Sequence, residues 1–392
     1  MAINNITGSP VEGEDFYGRG KELTAAWNHI KKGNSIILSA PRRVGKSSFA
    51  KKLLEKARDE SWNTLEINLE EVKSEEQFVK LFIERLQNES WWQKSISKLG
   101  ELASQIMESI KPKINYGDAS ATFEWKSKKT DVYSELKKLL NDKKETLIMI
   151  DELTILLTNL LRADKENGIN DVAYFLNWLR SFRQVSGTKI HWVFCSSIGI
   201  DNFTNRHKLS YALNDIKSIT IGEFDPETAK GLLLALAKSD NLELSEGVSK
   251  AILETTHWHL PYFIQILYFN FQNLVNTYSH PNDENTVKKA YQELIDSKEL
   301  NTWDDRLAEY AELESHVRLI LKSLCKNNDG ESREQLFNLL YTRIKDDEAT
   351  ETALNRLLYM LKNDGYIIDA HSGKYTFRSP LLRDFWFNRF AK

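Results

Sequence analysis

The sequence predicts an α/β fold: a parallel sheet covered by helices, followed by a largely helical C-terminal part. Three observations carry this expectation. An apolar strand runs into a glycine-lysine-serine loop and a helix at residues 35–50. A second apolar strand, 146–152, ends in two carboxylates. Further apolar strands alternate with helical segments, the βαβα order that builds a parallel sheet.

The first element is the strand Ile36, Ile37, Leu38. The loop after it fits the pattern G-x-x-x-x-G-K-[ST], with Ala40 in place of the first glycine. That position therefore needs no glycine-only backbone conformation. The following helix buries Phe49, Leu53 and Leu54 as one stripe. In this context the loop Ala40, Pro41, Arg42, Arg43, Val44, Gly45, Lys46, Ser47 and Ser48 is a phosphate cradle built from backbone N–H groups. Lys46 would reach the β- and γ-phosphates, and Ser47 would ligate Mg²⁺. The helix dipole starting at Lys46 favours the same anion. The expected fold is thus a P-loop NTPase sheet, and the expected ligands are ATP, with GTP not separable from it, and Mg.

The second element runs from Thr146 to Glu152. Its uninterrupted apolar character suits a central parallel strand buried on both faces. Asp151 would hold Mg²⁺, and Glu152 would act as the general base toward the attacking water. The alternative is that Asp151 only caps the next helix. A third strand, Lys189 to Ser197, ends in hydroxyls. Ser197, or Ser196, would contact the γ-phosphate or the water; equally, both hydroxyls start a loop. Strands over 64–69 and 216–221 complete the sheet. Ser74 to Gln77 reads as a capping box, and Asp225 with Pro226 opens another helix.

Between 88 and 130 lies an insert. Trp91 and Trp92 are expected to anchor it in the core. A short helix is expected over 96–110, then a hairpin with strands at 114–116 and 119–125 around Gly117 and Asp118. His257 and His259 lack further ligands in sequence, so zinc is not expected.

The C-terminal 90 residues read as a winged helix. Helices are expected over 314–326, 332–341 and 349–363, with Gly365 ending the third. Wing strands follow at 366–368 and 375–377. Asp346, Asp347, Glu348 and Glu351 crowd the start of the third helix, where a DNA reader presents residues to bases. They would repel phosphates, and only Arg356 and Lys362 are basic on that helix. A protein contact or an autoinhibitory role is therefore favoured over DNA reading.

Several of these motifs together resemble the STAND branch of AAA+-type ATPases, closest to its archaeal-ATPase-like prokaryotic group. Tyr17, Gly18, Arg19 and Gly20 resemble its N-terminal Gly-Arg box, near the adenine. Ile150, Asp151 and Glu152 match its Walker B strand, and Cys195, Ser196 and Ser197 resemble its sensor strand. His259, Leu260, Pro261, Tyr262 and Phe263 resemble its Gly-x-Pro lid motif, with His259 replacing glycine. Phe377 to Trp386 resembles the close of its winged helix. The resemblance implies a sheet of AAA+ order, a helical lid and a C-terminal winged helix, divided as a core over 1–222, a lid over 223–300 and a winged-helix domain over 301–392. It also implies an ATP-driven switch in signalling or bacterial defence, with Gly18, Arg19 and Pro261 at the nucleotide. Arg180 and Arg183 lie where AAA+ rings place an arginine finger; the preferred reading is two solvated helix-surface arginines. The alternative function is a DNA-associated ATPase, a loader or transposition regulator.

Composition bounds the rest. The 392 residues are 41% hydrophobic and 28% charged, which is a globular balance. A formal charge of −3 argues against broad electrostatic binding of DNA. Two cysteines without a C-x-x-C spacing imply a reducing, cytoplasmic setting. No signal peptide or membrane span is expected. The partners expected are ATP and a protein or a second copy of the chain, with no membrane.

Overall fold

The computed structural model describes residues 3–93, 104, 106, 110–113, 122–125, 129–140, 144–164, 166–196, 200–370 and 373–392. They form two compact units. One comprises Arg19–Ser39 and Lys46–Ile221; the other comprises Met1–Gly18, Ala40–Gly45 and Gly222–Lys392.

The first unit holds a five-stranded parallel sheet of β1 (Ile36–Ser39), β2 (Asn63–Asn68), β5 (Thr146–Asp151), β6 (Ile190–Cys195) and β7 (Lys217–Thr220). Their order is β2-β5-β6-β1-β7. Leu147, Ile148, Met149 and Ile150 of β5 are fully buried, as are Trp192, Val193, Phe194 and Cys195 of β6. Both faces of these central strands are covered, which explains their unbroken apolar sequence. Register places Ile150 opposite Phe194, and Leu38 opposite Cys195. The C-terminal ends of β5, β6 and β1 therefore lie side by side along one edge.

The flanking helices follow from their sequences. Lys46–Asp59 buries Phe49, Ala50, Leu53, Leu54 and Ala57 on one face. Glu75–Asn88 is capped by Ser74, whose hydroxyl accepts from the Gln77 N–H at 3.3 Å. The Gln77 side chain accepts from the Lys73 N–H, so the box closes one residue earlier than its usual form. An aromatic cluster fills the space under Gly168–Arg183. Trp178 lies 4.8 Å from Tyr133 and 5.1 Å from Phe182, centroid to centroid.

Two expectations need correction. The hairpin of the insert pairs β3 (Ile110–Lys113) with β4 (Thr122–Trp125), so its pairing begins before the expected first strand at 114–116. The expected first strand and turn lie outside the described residues, as does most of the expected 96–110 helix. Trp91 is half-buried and donates to the Thr64 carbonyl. Arg183 is not a solvated surface arginine. Its side chain is 3% exposed and grips Asp215 through Nε and Nη2 at 2.8 and 3.1 Å, and the Ala212 carbonyl at 2.6 Å. Helix spacing cannot show a carboxylate 32 positions away, so this pairing was invisible in sequence. Arg180 lies nearer solvent, bonded to Asn214.

The second unit is mainly helical. Helices Pro226–Ser239, Glu246–Thr256, Pro261–Asn276 and Glu284–Asp296 come first. Asp225, Ser245 and Asp283 cap three of them by accepting the N3 N–H. Helices Glu314–Leu324, Arg333–Ile344 and Asp347–Asn363 follow, with β8 (Glu331–Ser332), β9 (Ile367–Asp369) and β10 (Lys374–Phe377) in an antiparallel sheet ordered β8-β10-β9. Gly365, at φ +85°, ends the third helix. Beside it Asp364 accepts from Tyr310 at 2.7 Å and pairs with the fully buried Arg306. Among the described residues no helix is long and apolar enough to cross a membrane.

One buried acid in the first unit ties stability to pH. Glu75 is 4% exposed, accepts from the Tyr133 hydroxyl at 2.9 Å and pairs with Lys129. Burial outweighs Lys129 and pushes its carboxyl up from 4.5 to about 7. A raised acid holds its proton longer in the folded state. The stabilisation is thus full below 4.5 and lost as pH rises to about 7, by up to about 3 kcal/mol. Urea unfolding across this range should show that decline in the native chain and not in Glu75→Gln; parallel curves would refute it.

Candidate functional site

At the shared edge of β5, β6 and β1, Lys46 opens its helix and is 8% exposed. The next residue, Ser47, donates its hydroxyl to Asp151 Oδ2 at 2.7 Å. That bond spans 104 positions of sequence and brings the end of the phosphate loop to the acidic end of β5. Asp151 Oδ1 accepts from the Glu152 N–H at 3.0 Å. Glu152 itself precedes the helix Leu153–Ala163 in a left-handed conformation, φ +56°. A side chain in that region strains the backbone by about 1–2 kcal/mol. Burial holds the Asp151 carboxyl above its ordinary range against the Ser47 bond, and the Glu152 charge adds to the rise.

The hydroxyl and carboxylate oxygens of Ser47 and Asp151 are a hard-donor pair and suit Mg²⁺, which takes few protein ligands and keeps several waters. The cap position of the helix Leu153–Ala163 is Glu152, and Asp151 stands one residue before it. Ser196 follows β6, is 5% exposed and shares a hydrogen bond with Thr154. Ser197 lies outside the described residues. Cys195 is fully buried, and burial pushes its thiol well up, so it behaves as an apolar core residue. Arg19 caps Gly20–Lys31 in a left-handed conformation and pairs with Glu22 at 3.3 Å.

The other unit holds the remaining positions. In the loop Ala40–Gly45, Val44 is buried, while Arg43 and Gly45 have φ of +64° and +94°. The left-handed arginine could not be read from sequence, where glycine is the usual sign. Arg43 places its guanidinium 4.5 Å from the ring centre of Tyr262. Pro261 is the first residue of the helix Pro261–Asn276, and Tyr262 the second. Gly18 has φ +72°, and a Cβ there would stand 3.0 Å from Thr228 and 3.3 Å from Phe224. Thr154 and Tyr262 were not anticipated as site residues. Tyr262 lay inside the expected lid motif, but nothing in that motif pointed to Arg43.

No protein-family model matches the chain, and no curated protein matches it. Solved structures do. A Walker-type ATPase of Pyrococcus abyssi aligns over 97% of this chain and 99% of its own, with a TM-score of 0.64 and 17% identity. The Aeropyrum pernix ORC2 protein, solved in ADPNP–ADP complexes, aligns over 96% of each chain with a TM-score of 0.57 and 13% identity. The chain has the P-loop ATPase fold. Within that fold, Lys46, Ser47 and Asp151 are the described residues whose chemistry converges at the sheet edge. At these identities the likeness shows the fold alone.

Asp151 is a desolvated charge; in an asparagine the amide oxygen can keep the Glu152 N–H bond, while the amide nitrogen can donate to the Ser47 hydroxyl, which reverses that bond. Without metal or nucleotide, Asp151→Asn should melt no lower than the native chain. A thermal scan in a chelator checks this, and a drop of several degrees would assign the carboxylate a structural role.

Proposed function

We propose that this chain is a Mg-ATP-binding and hydrolysing switch of the STAND/AAA+ type that acts on a protein partner in signalling or bacterial defence. The Ser47–Asp151 contact carries the reading, because it joins the two halves of a phosphoryl-transfer site. In this reading the backbone of Ala40–Gly45, with Ser48, cradles the phosphates. Lys46 sets its ammonium against the β- and γ-phosphate charge. Ser47 and Asp151 hold Mg²⁺, which when bound neutralises charge on the phosphate oxygens. Glu152 takes a proton from water at its carboxylate as the water oxygen bonds to the γ-phosphorus. The bond to the β–γ bridging oxygen breaks, releasing ADP and phosphate. Ser197 is assigned to the γ-phosphate, and Gly18, Arg19 and Pro261 to the adenine side.

We divide the chain by role into the core 1–222, a lid 223–300 and a winged-helix domain 301–392. The charge pattern of the last favours a protein partner. Arg356 pairs with Glu312 at 2.9 Å, Lys362 with Asp369 at 3.0 Å, and Arg333 with Glu351 at 2.6 Å. The basic groups of the third helix are thus neutralised within the chain, while Asp347 and Glu348 stay exposed at its start. The second reading is a DNA-associated AAA+ ATPase, a loader or transposition regulator that uses the winged helix.

Two experiments test these readings. At a hundredfold excess over Kd, Mg·ATP should stabilise the native chain by about 2.7 kcal/mol, and Lys46→Ala should lose that shift. Glu152→Gln should still bind, while single-turnover hydrolysis falls by roughly two to four orders of magnitude. Undiminished turnover would place the base elsewhere, and absence of turnover in the native chain would leave a nucleotide-binding scaffold. Running GTP beside ATP separates the nucleotides. For the partner, anisotropy with random duplex DNA should show no submicromolar, salt-sensitive binding with or without ATP. Such binding, lost in Arg356→Ala with Lys362→Ala, would establish the DNA reading instead.

A further inference from the structure

The phosphate loop has a seat of its own within the helical unit, and that seat is aromatic. The Arg43 guanidinium lies 4.5 Å from the Tyr262 ring centre. Its Nε is buried without a hydrogen-bond partner among the described residues. The ring face is therefore what stabilises this buried part of the cation. Tyr262 is only 7% exposed and is itself fixed, donating its hydroxyl to the Glu299 carbonyl at 3.0 Å. Two residues before Arg43, Pro41 packs toward the turn after the third helix: a Cβ on Gly365 would stand 3.1 Å from the Pro41 Cβ and 2.5 Å from Trp258. Trp258 is held in turn by Glu223 at 2.7 Å and lies under Arg378.

Arg43 holds φ +64°, a torsion that strains a side-chain-bearing residue. A cation over a desolvated ring offsets that strain. The torsion at Arg43 sets the direction of the Val44, Gly45 and Lys46 N–H groups that come next. Resting on the nucleotide reading above, we infer that Tyr262 is a positioning residue: through Arg43 it holds the phosphate loop in its anion-receiving shape, so that a helix outside the loop sets the affinity for the nucleotide phosphates.

Binding of fluorescent Mg·ATP separates this from direct contact or plain packing. Tyr262→Phe keeps the ring face and should bind within about twofold of the native chain. Tyr262→Leu and Arg43→Met should each weaken binding by roughly 3–30-fold, the reach of a buried cation–ring contact. The double variant should be no weaker than either alone. If the two losses add, Arg43 touches the phosphates independently of Tyr262, and the inference fails. It also fails if Tyr262→Phe falls as far as Tyr262→Leu, or if neither substitution changes binding. Should Tyr262→Leu not fold, Arg43→Met and Tyr262→Phe still decide through amide exchange of residues 42–46 without nucleotide. Exchange should quicken in Arg43→Met and stay native in Tyr262→Phe; equal rates in all three chains would overturn the proposal. If the native chain binds no Mg·ATP, the nucleotide reading fails by itself, and the same exchange measurement decides the Arg43–Tyr262 hold alone.

Discussion

A parallel strand must be followed by a crossover, and a crossover helix needs a covered sheet face. That constraint organises the first unit. It makes β5, β6 and β1 apolar on both faces, and it forces every one of them to end at the same edge. Backbone and side chains with unmet polarity can gather only there, because the sheet interior has no place for them. Ser47 and Asp151 meet at that edge because β6 alone separates their strands. The strength of their contact comes from the rigidity of what carries it: one partner on the first turn of a helix, the other on the last residue of a strand.

Much of this was legible in the sequence. The strands over 36–39 and 146–151 announced themselves by unbroken apolar runs, and the helix from Lys46 by its buried stripe. The caps at Ser74 and Asp225 could be read because capping acts over three residues. Long-range pairing could not. Arg183 looked like a surface residue since its partner Asp215 is remote in sequence. The start of the insert hairpin at β3, Ile-Lys-Pro-Lys, was missed because its proline argues against a strand. The site was legible where a motif fixes the chemistry, as at Lys46, Ser47 and Asp151. It was illegible where geometry assigns the role, as for Thr154 beside Ser196 and Tyr262 beside Arg43.

Three of the ten non-glycine residues with positive φ among those described lie in the proposed site. Arg19, Arg43 and Glu152 all carry long charged side chains in a region glycine occupies freely. A glycine at any of them would relieve strain and free the backbone, at the expense of the charge. The sequence keeps the charge at each position, and each strained residue has a local partner or a helix start to hold it: Glu22 for Arg19, Tyr262 for Arg43 and the helix Leu153–Ala163 for Glu152.

The chain changes unit at 18/19, 39/40, 45/46 and 221/222. Such weaving has a consequence for the history and handling of the protein. A unit contained in one continuous stretch can be copied, fused or deleted by a single cut on either side. Here a cut after 221 leaves the sheet unit with two foreign pieces, 1–18 and 40–45, whose packing partners are gone. Asn5 would lose the Gln265 carbonyl to which it donates, and Arg43 the Tyr262 ring. Neither unit is a movable cassette, so the pair is inherited, or lost, as a whole.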